Sequence, residues 1–328
     1  VLIHHTGNPA NILVLIFISL LFVAPTVHAV SISPALVEVS LDKGTIKNGA
    51  ITITNTEDRA ISYEVGFQNF VAKGEEGQQD FVDANSINRD VEWITPQSEG
   101  FILEKGQEID FQYSVSVPKD AIPGGHYVAM FFSESPKQDE NGSGASVSAK
   151  IGVLFFVRVN GEIVENLQVD SFRTIQTGIG LNRLPITFET RFKNTGNVHI
   201  RPEGEIVIKN IFGKVTDSIP LNPKASLVLV NSVRRTESEW KKEQQGRVTG
   251  WFTEARNELN NFAIGPYAAE IQGYYGENRS PLTQTTHFWV IPWHLLIIVG
   301  AFLALLLILN IVYRSFLIKV LLKRSIRR

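Results

Sequence analysis

The sequence predicts an all-β body of two tandem β-sandwiches followed by one C-terminal transmembrane helix. Three observations carry this. Short apolar runs with a two-residue period recur between residues 30 and 286. Gly, Pro and Asn punctuate those runs as turn residues do. Near the C-terminus an uncharged apolar stretch is bracketed by aromatics and followed by cations.

At the N-terminus, residues 12–23 (ILVLIFISLLFV) have the length of a signal-peptide core and are short for a bilayer span. Val27 and Ala29 then stand at the −3 and −1 positions of a cleavage site, so residues 1–29 are expected to be a signal peptide. Residues 1–11 contain no Lys or Arg, which keeps an uncleaved anchor helix as the alternative.

The first sandwich is expected over 30–162. Its runs are 31–41 (SISPALVEVSL), 50–54 (AITIT), 61–70 (ISYEVGFQNF), 109–117 (IDFQYSVSV), 126–132 and 151–159 (IGVLFFVRV). Residues 137–146 (KQDENGSGAS) read as a polar hairpin tip. The second sandwich, over 163–286, repeats this grammar. ITITNT at 51–56 is echoed by ITFETRFKNT at 186–195, and Pro123-Gly124-Gly125-His126-Tyr127 by Gly265-Pro266-Tyr267. The middle of 251–262 (WFTEARNELNNF) reads instead as a short helix. Strands at this spacing predict Ig-like sandwiches. With no cysteine in 328 residues, both must stand on packing alone, which points to a bacterial surface protein more than to an animal ectodomain.

Residues 295–312 (LLIIVGAFLALLLILNIV) are uncharged and would span about 27 Å as a helix. The membrane helix is expected over 287–313. Trp289, Trp293, Tyr313 and Arg314 are its interface candidates, and 314–328 is a basic cytoplasmic tail. The positive-inside rule puts the sandwiches outside the cell, with membrane lipid as the helix's partner. All 33 acids lie between Glu38 and Glu277, and outside the tail 25 cations face them, so the body is mildly acidic. A nucleic-acid partner is excluded by that balance.

No catalytic residue, metal site or cofactor is expected. His126 and His199 have no ligand partner at metal-site spacing, and no Gly-x-Ser-x-Gly elbow, P-loop or dinucleotide fingerprint is present. His126 reads as an ordinary strand residue and Trp93 as a core anchor. The acids Glu75-Glu76, Asp139-Glu140 and Glu237/Glu239 read as solvated loop charge. Candidates for binding are Arg234, Arg235 and Trp240, whose cations and aromatic in VRRTESEWKKEQQGR have hot-spot composition in what reads as a loop. The alternative folds Trp240 onto a sandwich edge. Tyr274 and Tyr275, at a strand end, could bind or pack.

The Pro-Gly-Gly turn into an apolar strand (122–132), the strand 151–159, the Asn194-Thr195-Gly196-Asn197 turn, the single helix and the basic tail together resemble the WxL-interacting protein family. That resemblance implies a Gram-positive surface protein, with a first domain associated with peptidoglycan and a second with partner proteins. The expected function is attachment to a surface protein or cell-wall glycan. The alternative is an envelope assembly chaperone that holds client strands, for which residues 158–173, with Arg158 and Arg173, offer the expected basic anchor.

Overall fold

In the computed structural model of the chain, residues 30–82, 89–135, 150–175, 184–242 and 250–325 are described. The expected signal peptide, the polar hairpin tip with Asp139-Glu140, and the last three residues lie outside them.

The first domain comprises β1 (Ser31–Ser33), β2 (Leu36–Leu41), β3 (Ile46–Thr54), β4 (Ile61–Lys73), β5 (Gln78–Val82), β6 (Ile94–Pro96), β7 (Gly100–Leu103), β8 (Glu108–Ser116), β9 (Gly124–Glu134) and β10 (Lys150–Val159). One sheet has the order β1-β3-β8-β6 and the other β2-β10-β9-β4-β5, with β7 also on β4. The run at 31–41 is therefore two strands in two sheets. Ser31–Ser33 pairs antiparallel with β3, and Leu36–Leu41 pairs parallel with β10. Pro34, which has no N–H to give a ladder, sits at the crossing. Inward positions of both sheets form one core, including Ile51, Ile53 and Phe111 from the first and Met130, Phe132 and Phe155 from the second. Trp93 belongs to it. Phe111 meets Phe132 edge-on at 5.3 Å between centroids, a favoured aromatic geometry.

The second domain comprises β11 (Leu167–Ile175), β12 (Ile186–Asn194), β13 (Glu203–Asn210), β14 (Val215–Pro220), β15 (Val233–Trp240), β16 (Gly265–Tyr275) and β17 (Ser280–Val290). Its sheets are β11-β12-β15 and β14-β13-β16-β17. The stretch carrying Arg234, Arg235 and Trp240 is thus a strand, not a loop. Thr236, Ser238 and Trp240 face inward in strict alternation. Trp240 is fully buried in the second core and donates Nε1–H to Asp217 at 2.8 Å. Glu237 and Glu239 are exposed on the same strand, where Glu239 pairs with Lys241.

The Asn-Thr echo is a shared device. Asn55 and Asn194 are both fully buried just where β3 and β12 close. Each side-chain oxygen accepts the N–H two residues on, from Glu57 and Gly196, at 2.9 Å. Each amide donates to the carbonyl four residues on, Arg59 or Val198, at 2.8 Å. The same amides also reach a distant chain, Leu103 and Glu104 in the first domain and Val228 in the second. One side chain therefore satisfies the backbone of a buried turn that no ladder can serve.

Two helices complete the chain, α1 (Trp251–Asn260) and α2 (Trp293–Ser325). The expected helix start at 287 is corrected to Trp293, because His287–Val290 finish β17 and pair with Gly265–Ala268. The helix runs on through the basic stretch to Ser325. Trp293–Ile318 is 26 residues, about 39 Å of helix, long and apolar enough to cross a membrane.

Asn55→Ala and Asn194→Ala should each destabilise the chain by roughly 2–4 kcal/mol, since several buried carbonyls and one N–H lose their partner together. Because the amide mainly donates, Asn→Asp should be at least as damaging at neutral pH. Urea midpoints read both effects, and wild-type stability in either Asp variant would refute the donor role.

Candidate functional site at the domain junction

Strands β9 and β10 are buried on both faces. Val128, Met130 and Phe132 point into the first core, while Tyr127, Ala129 and Phe156 point outward and, with Phe70, pack against Leu227 of the second domain. Leu154, Phe131, Leu229 and Val230 border this second cluster. His199 lies over it, 5.6 Å from the Tyr127 ring and 5.4 Å from Phe156. Covering both faces of a strand demands a continuous apolar run in place of alternation, as HYVAMFF and GVLFFV display.

Around the apolar contact runs a polar seam. The turn of the β4–β5 hairpin reaches the second domain, where Arg191 grips the Glu75 carboxylate with Nε and Nη2, Nε at 2.7 Å. That grip holds the Glu75 carboxyl below its usual range. Arg235 pairs with Glu76 at 2.5 Å and gives its backbone N–H to the Glu75 carbonyl at 2.8 Å. Arg201 pairs with Glu38. The expectation that Glu75 and Glu76 are solvated loop charge is therefore wrong, since both lock the two domains. Gly77, at φ +83°, adopts a conformation that favours glycine and packs against the Arg234 guanidinium.

The linker is fixed too. Asn197 accepts the Val164 N–H and donates to the Glu162 carbonyl, both at 2.8 Å, while its own carbonyl accepts the Gly125 N–H. Arg158 is ion-paired to Glu165 at 2.9 Å and Glu277 at 2.8 Å, and Arg173 to Glu189 at 2.7 Å. Neither is an open basic anchor, which corrects the expectation for 158–173.

A groove of about 330 Å³ opens beside the seam. Leu36, Leu154, Phe156 and Leu227 supply its apolar wall, and Arg201, Lys224 and Arg234 its cations. Arg234 is half-buried. Among the described residues its one hydrogen bond is to Ser226 Oγ at 3.3 Å, and its Nε has no partner. Burial pulls its pKa down against the opposing charge of Glu76. Lys224 is exposed and makes no ion pair among the described residues. Next to the groove, β10 pairs with β2 only over Leu154–Val159. On that side the edge of Lys150–Val153 meets no strand among the described residues.

Of the sequence candidates, Arg234 and Arg235 come to the junction and Trp240 goes to the core. Tyr274 lies at the end of β16 under the Arg279 guanidinium, 3.5 Å from the ring centroid, and Tyr275 packs on the second core. Trp289 is exposed on β17, Trp293 opens α2 stacked on His294, and Tyr313 and Arg314 are exposed partway along α2. Neither His126 nor its partner was legible. His126 is buried, with Nδ1 2.8 Å from Asp90 and Nε2 2.8 Å from the Ile122 carbonyl, so it is more than a strand residue. Asp90 sits thirty-six residues upstream in a 3-10 turn (Asp90–Trp93), beyond any local pattern.

The two junction histidines respond oppositely to pH. Burial, then the charges of Arg158 and Arg201, push His199 down to about 4. The unfolded chain takes up that proton first, so stability is full above about 6.5 and is lost as pH falls, by about 2 kcal/mol near pH 5. For His126 burial pulls down, but the hydrogen bond and charge of Asp90 outweigh it and the pKa rises. Its contribution is present below about 6.5 and disappears as pH climbs through the raised value. Urea midpoints against pH should show His199→Gln flattening the acid limb and His126→Gln the alkaline one. Unchanged limbs would contradict the assignment.

No protein-family model matches the sequence, and no curated protein matches it. Among solved structures, the chain is similar to one in a chaperone–tip adhesin complex of CFA/I fimbriae, at 11% identity, 79% coverage of this chain, 98% of that one and a TM-score of 0.39. It is similar to the class 5 fimbriae chaperone CfaA at 13%, 79%, 99% and 0.35. A chain of the CsuC–CsuE chaperone–tip adhesion subunit complex of Acinetobacter baumannii gives 12%, 79%, 97% and 0.35.

Proposed function

We propose that this chain is a membrane-tethered polypeptide-binding protein of the bacterial envelope that holds an extended segment of a partner protein along the groove between its two Ig-like domains. The observation that carries this is the β10 edge at Lys150–Val153, which meets no strand among the described residues, beside a groove with two cations, Arg234 and Lys224, that form no ion pair among those residues. An open edge accepts a strand by main-chain hydrogen bonds, the apolar wall accepts its alternate side chains, and the cations suit a carboxylate on it. This is the holding mode of an assembly chaperone, with α2 keeping the holder at the membrane. The WxL-interacting resemblance supplies the partner class, another surface protein. A cell-wall glycan fits the groove less well, since sugars stack on exposed rings and the ring that lines it, Phe156, is buried. Nothing in this reading calls on catalysis. The basic residues after Tyr313 would lie in the cytoplasm and the sandwiches outside.

A photoreactive residue at Lys150, exposed on the open edge, in the full-length protein should yield polypeptide adducts in the expressing cell, and one at Lys47, exposed on β3 of the other sheet, should not. Lys224→Glu, an exposed change, should cut the Lys150 adduct by about tenfold, as loss of one charge-assisted contact implies. Equal adducts from both positions, or none with retained cell-wall fragments instead, would sink the proposal.

A further inference from the structure

We infer that α1 is a second membrane contact, an interfacial helix that lays its apolar side into the outer headgroup boundary beside the entry of α2; this rests on the reading of α2 as a membrane span. Two independent observations meet here. The first is the clamp between the helices. Glu258, buried on α1, accepts from His294 Nδ1 at 2.6 Å and from the Leu295 N–H at 3.0 Å, and Glu254 lies 3.0 Å from His294 Nε2. Leu295 N–H is one of the first-turn donors that a helix cannot satisfy internally, so α1 caps α2 with its own side chain. The clamp holds α1 level with the first turn of the span.

The second observation is what α1 leaves bare. At 3.6 residues per turn Trp251, Phe252, Ala255 and Leu259 share an arc of about 100°, next to the arc of Glu254 and Glu258; Ala255 within it is buried and Trp251 rests against His294, so Phe252 and Leu259 are its bare part. Phe252 is 81% exposed and Leu259 63%. Phe262, Ile264 and Trp289 add exposed apolar surface close in sequence to α1 or to α2. The polar positions Thr253, Arg256, Asn257 and Asn260 occupy the opposite side, with Arg256 exposed at the margin of the stripe, where a long cation can reach a lipid phosphate. Because the clamp fixes the height, this patch is continuous with the apolar belt of α2, whose side chains are exposed from Leu296 to Ile318. A bilayer that wets α2 therefore reaches α1 as well. The occupant is lipid, and two contacts in place of one axle stop the ectodomain from swivelling about its anchor.

The chain has no cysteine, so single substitutions report cleanly. Full-length Phe252→Cys, Leu259→Cys, Asn260→Cys and Leu305→Cys are labelled with an environment-sensitive fluorophore and reconstituted into phosphatidylcholine–phosphatidylglycerol vesicles. Labels at 252 and 259 should be quenched at least about twofold more than the label at 260 by lipids carrying a nitroxide near the headgroup, and shielded from aqueous iodide. The label at 305 should answer to a nitroxide deep in the acyl chains. If 252 and 259 answer to iodide as 260 does while 305 is quenched by the deep nitroxide, the anchor stands and the interfacial helix is overturned. Shielding of 252 and 259 from both quenchers would mean a protein covers them, which also overturns it. No deep quenching at 305 would remove the membrane span, and the inference with it.

Discussion

Everything that this chain can do at its junction depends on one apolar contact, the outer face of β9 and β10 against Leu227 and its neighbours in the second domain. A sandwich needs only one covered face per sheet, so the far side of such a sheet is ordinarily solvated. Here Tyr127, Ala129 and Phe156 lie on that far side and are buried. Separating the domains would put these rings in water, together with Phe70. The ion pairs around the rim, Glu75 with Arg191, Glu76 with Arg235 and Glu38 with Arg201, are partly exposed and set register more than strength. Gly77 shows how closely the hairpin turn approaches, because the Arg234 guanidinium lies where its Cβ would be.

A junction built this way makes the groove a fixed shape. Asn197 ties the linker to the turn before β9, and Arg158 ties the linker to the β16–β17 turn through Glu165 and Glu277. Of the groove cations, Arg201 and Arg234 are then held by the scaffold and need little ordering when a ligand arrives, which lowers the entropic cost of binding. The cost is met within the domains: Arg234 is held partly out of water, and His199 is half-buried in its neutral form against Tyr127 and Phe156.

The sandwiches and the apolar helix were legible because periodicity is a local property. β3, β4, β8, β9, β10 and β12 overlie the apolar runs read in the sequence, and α1 lies inside 251–262. β15 was missed for a physical reason: its inward positions before Trp240 are Thr236 and Ser238, so VRRTESEW looks polar although it alternates. Ser238 can sit inside because its hydroxyl donates to the Pro220 carbonyl at 2.7 Å. The junction was hidden for a different reason. Glu75 and Arg191 are 116 residues apart, and Asp90 and His126 thirty-six, so their pairing exists only once the sheets are assembled. One signal was there to be read, the loss of alternation in 126–132 and 151–157, which in an antiparallel sandwich asks what covers the second face.

The Asn55 and Asn194 turns bear on how the two domains relate. The same side chain accepts from the residue two on and donates to the residue four on, at equal distances, at the end of the equivalent strand in each sandwich. A buried turn needs such a donor wherever the ladder stops, so chemistry alone explains an Asn at either place. It does not explain why only the second turn also carries the junction. There Asn197, three residues past Asn194, turns outward to hold the linker and the Gly125 N–H. In the first domain the corresponding position is Asp58, part of an exposed ion pair with Lys105. One turn closes a strand. Its counterpart closes a strand and joins two domains, so the feature that makes the groove rigid grows out of a device whose simpler form the first sandwich retains.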